Sequence, residues 1–185
     1  MSTAAIVLAG GAGHRFGGDQ HKLLATFRGR PLVSWAVDHA LAAGLDDTVV
    51  VTGAIDLVGA LPSAVRMIEN AHWAEGQATS LQAGVTWARD AGFDAVVIGL
   101  GDQPLVPPEA WRAVGASTSP IAVATFDGRR RPPTRLARSV WALLPVDGDE
   151  GARAVMAEHP ELVEAVACPG QAIDIDTVED LARWS

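Results

Sequence analysis

The feature that most constrains this chain is an apolar run, Ala4-Ala5-Ile6-Val7-Leu8, that passes through Ala9 into a loop holding Gly10, Gly11, Gly13, Gly17 and Gly18. A short, unbroken apolar run closed by glycine predicts a buried strand of a mostly parallel sheet. A glycine-rich exit lets backbone N–H groups come close to a ligand and form an anion-binding nest. Arg15 and Lys22 add full positive charge to that loop. The expected guest is a polyphosphate.

Two common phosphate loops do not fit. A Walker A loop needs Lys after its second glycine, and Asp19 follows Gly18 here. A dinucleotide fingerprint needs a third glycine for close helix–strand packing, and Phe16 stands in that place. A flexible glycine loop with no ligand is the bland alternative. Composition argues for function at Lys22. The chain has 14 basic residues, and every one except Lys22 is arginine. A compact ammonium on a flexible stem can reach between phosphates as a point charge.

Beyond the loop, strand and helix patterns alternate. Leu23 to Phe27 is a short apolar segment that turns at Arg28-Gly29-Arg30. Pro31 suits the first turn of a helix carrying Leu32, Val33, Trp35, Ala36, Val37, Ala40 and Leu41 at helical spacing, ended by Gly44. Strands are expected over 48–52 and 65–68, with a short helix over 55–61 between them. Thr79 and Ser80 are expected to cap a helix through Ala91 whose first N–H groups point into the crevice. Further strands are expected over 94–100, 121–124 and around 162–166. A further helix should open at 107–109 and run through about Val114, another should open in 148–153 and run through Glu158, and a last one should be capped by Thr177 with Asp180 three residues on. This alternation predicts a three-layer α/β/α sandwich with a mostly parallel twisted sheet, in one domain spanning 1–185.

Composition narrows the function. A net charge of −8 argues against general nucleic-acid binding, so cations for an anionic substrate must be local. One cysteine, Cys168, leaves no intrachain disulfide or multi-cysteine zinc site. Neither a signal-peptide pattern nor a membrane-length apolar run is visible, and the expectation is a cytoplasmic enzyme.

Two further clusters carry chemistry. The run 94–100 delivers Gly101-Asp102-Gln103-Pro104, and a carboxylate just beyond a central strand's carboxyl end sits where open α/β sheets bind ligands. Mg²⁺ takes one or two carboxylates plus phosphate oxygens and water, which makes Asp102 a candidate ligand. A turn-forming Asp is the alternative. Arg129, Arg130, Arg131 and Arg135 come close together and predict a clamp for a phosphorylated acceptor, against the alternative of a solvated basic hairpin.

Leu-Ala-Gly-Gly-x-Gly-x-Arg-Phe-Gly with Lys seven residues after the Arg resembles the signature of GT-A-like nucleotidyltransferases, whose fold is that of nucleotide-diphospho-sugar transferases. Within them it resembles the MobA-like NTP transferases, the molybdenum-cofactor cytidylyltransferases and guanylyltransferases. Gly76-x-x-x-Ser80-Leu81, Gly101-Asp102-x-Pro104 and Gly148-Asp149-x-Gly151-Ala152-Arg153 extend the likeness over nearly the whole chain. The resemblance implies transfer of NMP from an NTP to a phosphorylated acceptor, molybdopterin in this branch's chemistry, with release of pyrophosphate and dependence on Mg²⁺. It implies that Leu8, Ala9, Gly10, Gly11, Gly13, Arg15, Lys22, Asn70, Gly76 and Ser80 contact the nucleotide, and that Arg15, Lys22 and Asp102 are catalytic. It implies that Asp176 completes the metal site, with Asp174 as the alternative, expected on the opposite strand face. It also implies transient contact with a molybdoenzyme or its chaperone. Leu-Ala-Gly-Gly resembles the guanylyltransferase loop, whereas Lys22-Leu23-Leu24 and the Gly148–Arg153 segment favour CTP, the nucleotide expected here. Arg131-Pro132-Pro133 replaces the Gly-His-Pro-like stretch of the cytidylyltransferases. A nucleotide-binding regulatory protein without turnover is the alternative from another class.

Overall fold

The computed structural model describes residues 1–17 and 20–185, so Gly18 of the glycine loop and Asp19 lie outside the described residues. In chain order the elements are β1 (Thr3–Ala9), β2 (Thr26–Phe27), β3 (Arg30–Pro31), α1 (Leu32–Ala42), β4 (Asp47–Thr52), β5 (Arg66–Glu69) and α2 (Gln77–Asp90). Then follow β6 (Ala95–Leu100), α3 (Pro108–Gly115), β7 (Ile121–Phe126), β8 (Arg129–Ala137), α4 (Ala152–Glu158), β9 (Val163–Ala167) and α5 (Val178–Trp184).

Seven strands form one sheet in the order β5-β4-β1-β6-β8-β7-β9, and β8 alone among them runs antiparallel to its neighbours. Strand β1 pairs with β4 on one side and β6 on the other, Ile6 facing both Val49 and Ile98. The chain therefore builds outward through β4 and β5, then returns across β1 to place β6. That reversal opens a crevice at the carboxyl ends of β1 and β6, where doubly wound sheets bind ligands.

Alternation along β1 makes the three layers, because successive side chains of a strand point to opposite faces. Ala5, Val7 and Ala9 pack with Val33 and Val37 of α1 and with Trp111 and Val114 of α3. Ile6 and Leu8 pack on the other face with Leu81 and Val85 of α2, with Trp141 and with Val155 of α4. A third cluster of Phe27, Leu32 and Ile175 draws in Leu181 and Trp184 and binds α5 to the β2–β3 hairpin. The three-layer sandwich with a mostly parallel sheet is the fold that the alternation predicts.

Two local expectations fail. Residues 55–61 form bends and turns in place of a helix. The Asp56 carboxylate accepts the Val58 N–H at 2.8 Å, and Gly59 takes a left-handed φ of 86°, so no helical turn propagates toward Pro62. Helix α2 starts at Gln77 with Gly76 as its N-cap, which puts Thr79 and Ser80 inside its first turn. Its first N–H groups do not face the crevice free: Gln77 donates to Asp149 Oδ1 at 3.3 Å, and Ala78 to the Gly148 carbonyl at 2.9 Å. The closing helix is as expected, with the Thr177–Asp180 capping box complete.

Candidate active site

The glycine loop leaves β1 over the crevice and is held from below. His21 Nε2 lies 2.9 Å from the Gly11 carbonyl, while His21 Nδ1 accepts the Leu23 N–H at 3.2 Å. With Nδ1 accepting, Nε2 carries the proton and donates to the loop. Burial pushes the His21 pKa below the ordinary value, which favours this neutral form. Gly13 takes φ of 65° directly over the His21 ring and the Lys22 stem, a conformation that suits glycine. In sequence His21, like His14, reads as a surface residue or a minor nucleotide contact flanking the loop. The only signal was its place beside Lys22.

From the 3₁₀ turn Lys22–Leu24, the Lys22 ammonium reaches between two carboxylates. Its Nζ donates to Asp102 Oδ2 at 2.6 Å and to Asp176 Oδ1 at 3.0 Å, and Arg15 pairs with Asp176 Oδ2 at 2.9 Å. Burial opposes the charge on Lys22, but the Asp102 and Asp176 carboxylates outweigh it and raise the pKa above its ordinary value. The lysine is therefore an internal counter-ion. Its partners come from loops that the fold locks together: Asp102 follows β6, and its carbonyl accepts the Ile175 N–H at 3.0 Å.

Buried Ile175 points into the third hydrophobic cluster, while Asp174 and Asp176 on either side of it line one cavity. The expectation that they occupy opposite strand faces is therefore wrong, since residues two apart in an extended chain share a face. Their surroundings differ all the same. Asp176 takes the two cations, whereas Asp174 accepts Gln103 Nε2 at 2.8 Å. Burial pushes the Asp174 pKa up, the Gln103 hydrogen bond opposes this, and the Asp102 and Asp176 charges add to the rise.

The other expected nucleotide contacts divide. Leu8, Ala9, Gly10, Gly11, Gly13, Gly76 and Ser80 line the cavity under the glycine loop with Arg15 and Lys22. Gly10 is close enough to α2 that a Cβ there would stand 2.9 Å from Ser80 Oγ. Asn70 is a strut behind that wall: its amide donates to Thr79 Oγ1 at 2.8 Å and Ser80 Oγ at 3.0 Å, and its Oδ1 accepts the His72 N–H at 3.0 Å. With donors and acceptor used, Asn70 acts on the crevice through Ser80 and does not line it.

The arginines also separate. Arg130 and Arg131 line a second cavity, with Arg153, Thr134 and Asp174. Arg129 is exposed beside the Asp127-Gly128 turn and lies outside that lining. Arg135 is 1% exposed and donates to the Ser119 carbonyl at 2.6 Å and to Met1 Sδ at 3.1 Å, away from both cavities. Burial lowers its pKa. Of the four arginines expected to form a clamp, Arg130 and Arg131 line this cavity while Arg129 and Arg135 do not, because β8 extends from crevice to core and carries Arg135 with it.

The two cavities, about 640 and 570 Å³, are separate lobes that share Arg15, Lys22, Asp102 and Asp176. Reactants seated in the two lobes would meet at the lysine–carboxylate cluster. The residues there suit a divalent cation. Asp102 Oδ1 is buried with no hydrogen-bond partner among the described residues, which leaves a desolvated oxygen for a cation to satisfy. Among the described residues no group of three or more His, Cys, Asp or Glu side chains forms a metal cage. A two-carboxylate site completed by substrate oxygens is the arrangement Mg²⁺ favours.

Residues 5–163 match the family model of the MobA-like NTP transferase domain. The chain belongs to this family. It is a nucleotidyltransferase. A protein named nicotine blue oxidoreductase from Paenarthrobacter nicotinovorans is 30% identical, over 96% of this chain and 94% of that one. A molybdenum cofactor guanylyltransferase from Cereibacter sphaeroides is 29% identical, over 99% of this chain and 95% of that one. Among solved structures, Rv0371c from Mycobacterium tuberculosis H37Rv superposes with a TM-score of 0.83 at 26% identity, covering 98% of this chain and 96% of that one. The same protein in complex with manganese gives 0.78 at 25% identity, covering 100% and 98%. Among the described residues, no helix is long and apolar enough to cross a membrane.

Proposed function

We propose that the chain, as one domain over residues 1–185, transfers CMP from CTP to the terminal phosphate of a molybdopterin-type acceptor. The observation that carries this reading is the meeting of two cavities at Lys22, Asp102 and Asp176. The lobe under the glycine loop takes the nucleoside triphosphate, its backbone N–H groups and Arg15 facing the phosphates. The lobe beside Arg130 and Arg131 takes the acceptor, whose phosphate pairs with those guanidinium groups. This seating holds an acceptor oxygen near the α-phosphorus, converting a bimolecular encounter into positioned attack. Attack forms a P–O bond at the α-phosphorus as the bond to the pyrophosphate oxygen breaks, and the electron pair leaves with pyrophosphate.

Asp102 and Asp176 would hold Mg²⁺, which supplies Lewis-acid polarisation of phosphate oxygens when bound. The manganese complex of the Rv0371c structure supports a divalent ion in this family. Lys22, at the junction of the two lobes, would offset the charge that builds on the leaving group. A phosphate acceptor is already ionised, so the site needs no dedicated general base. The reaction belongs in the cytoplasm, with the product handed to a molybdoenzyme or its chaperone.

The guanylyltransferase relative supports GTP as the second reading. Pyrophosphate release measured with each of the four NTPs, with and without molybdopterin, decides between them. Release with CTP only when the acceptor is present is expected. Release with GTP alone among the four transfers the assignment to guanylyl transfer, and no release with any pair sinks the reading.

A further inference from the structure

We infer that Trp73 is the platform on which the nucleobase stacks, an inference that rests on the nucleotide reading of the glycine-loop lobe. That lobe is lined by two cationic side chains, Arg15 and Lys22, and by the indole of Trp73. A nucleoside triphosphate calls for both chemistries, cations for its anionic chain and an aromatic face for its flat ring.

Trp73 differs from the chain's other tryptophans. Trp111 and Trp141 are core residues, each 2% exposed. Trp35 packs edge-on against Phe27, and Trp87 lies tilted against Phe93. Trp184 packs against the third cluster. Trp73 is half-buried and lines an open cavity, and no ring or cation is stacked on it among the described residues.

Its stem is fixed from behind. Gly53 leaves a notch in which a Cβ would come within 2.6 Å of Trp73 Cβ and 2.9 Å of Cγ. The Trp73 N–H donates to the Asn70 carbonyl and its own carbonyl accepts the Gly76 N–H, both at 3.3 Å. The 3₁₀ turn Trp73–Glu75 is thereby tied to the strut that holds Ser80 and to the start of α2. A large ring held by its stem, with its body left at a cavity wall, loses little entropy when a second ring lies on it. Every nucleobase has a π-face, so this contact supplies affinity without choosing the base.

The test uses the full chain, calorimetry and three probes: non-hydrolysable CTP and GTP analogues and inorganic triphosphate, all with Mg²⁺. Trp73→Ala is expected to weaken both nucleotides by about 5- to 150-fold and to leave triphosphate unchanged. Trp73→Phe should bind both nucleotides within about 5-fold of wild type, since a smaller ring keeps most of the stacking face. Equal losses for triphosphate and nucleotides would show that the ring only props the loop, and unchanged nucleotide affinity in Trp73→Ala would remove the role altogether. Either result overturns the inference and leaves the nucleotidyltransferase reading standing. A wild-type chain that binds triphosphate and neither nucleotide analogue overturns both.

Discussion

Replacing Lys22 with Met isolates what the internal counter-ion does, because Met keeps the length and apolar body of the stem and deletes the charge. The Lys22 side chain is 13% exposed and its partners Asp102 and Asp176 are 18% and 24% exposed, so the cluster is neither dry nor freely solvated. Breaking a fully buried pair costs about 3–5 kcal/mol, and an exposed one about 0–1 kcal/mol. With this partial access to water, the variant should lose about 1–3 kcal/mol at pH 8, small enough for a domain of this size to stay folded. The sign of the pH dependence follows from the raised Lys22 pKa. Its contribution is fully present below the unfolded value of about 10.4 and is lost only as pH rises through the higher folded value. Between pH 5 and 9 the wild-type lysine therefore stays charged.

Urea unfolding at pH 8 and pH 5 reads the stability arm, and pyrophosphate release reads the catalytic arm. If Lys22 also neutralises the leaving group, kcat should fall about 10²–10³-fold, the usual effect of deleting one preorganised charge or donor. Lys22→Arg should recover stability better than rate, since a planar fork pairs with carboxylates but lacks the compact reach of an ammonium. A folded Lys22→Met chain that releases pyrophosphate at the wild-type rate would refute the catalytic role. Wild-type stability at pH 8 would refute the counter-ion argument separately.

Asp102→Asn, which keeps the shape but removes charge from the orphaned oxygen, should cut Mg²⁺-dependent turnover by orders of magnitude and weaken Mn²⁺ binding measured by electron paramagnetic resonance. Asp176→Ala should do likewise, whereas Asp174→Asn should lower Mg²⁺-dependent turnover less, because Asp174 is engaged by Gln103 and meets neither Lys22 nor Arg15. The double change Arg130→Ala with Arg131→Ala should raise the acceptor KM selectively; Arg135→Met should leave both KM values alone and move only the melting temperature. Burial lowers the His21 pKa, so its contribution to stability is present above the unfolded value of about 6.5 and is lost as pH falls through it. His21→Gln should accordingly flatten part of the wild-type stability loss between pH 7 and 5, read by urea unfolding, and a parallel decline in both proteins would refute the assignment.

How much of this was legible in the sequence depended on the range of the interaction concerned. The layers of the sandwich were legible because strand and helix periodicities are local: alternation along β1 sends Val7 to one face and Ile6 to the other whatever lies beyond. The Thr177–Asp180 box was legible for the same reason, since its partners lie three residues apart. The start of α2 was not. Thr79 and Ser80 are good caps in isolation, but Gly148 and Asp149, some seventy residues on, occupy the helix's first N–H groups and let it begin at Gln77. Tertiary contact overrode local propensity there, and nothing in the window 70–81 carried the information.

The chemistry-bearing residues follow the same division. Gly10, Gly13, Arg15, Lys22 and Asp102 sit beside strand ends, so a strand pattern followed by glycine or Asp was enough to place them in the crevice. The partition of the arginines was hidden, because Arg131 and Arg135 lie on one strand that crosses from cavity to core, and composition alone makes them equivalent. What pairs Asp102 with Asp176 is the backbone bond from Ile175 to the Asp102 carbonyl, and its anchor is Ile175 buried against Phe27 and Leu32. An apolar residue between two acids thus sets the geometry of the charged site. It follows that Ile175→Ala, whose side chain lines neither cavity, should disturb the carboxylate spacing and lower turnover more than its loss of stability alone explains. A variant whose turnover, measured well below its melting temperature, matches wild type would show that the Asp102 and Asp176 loops hold their spacing without that anchor.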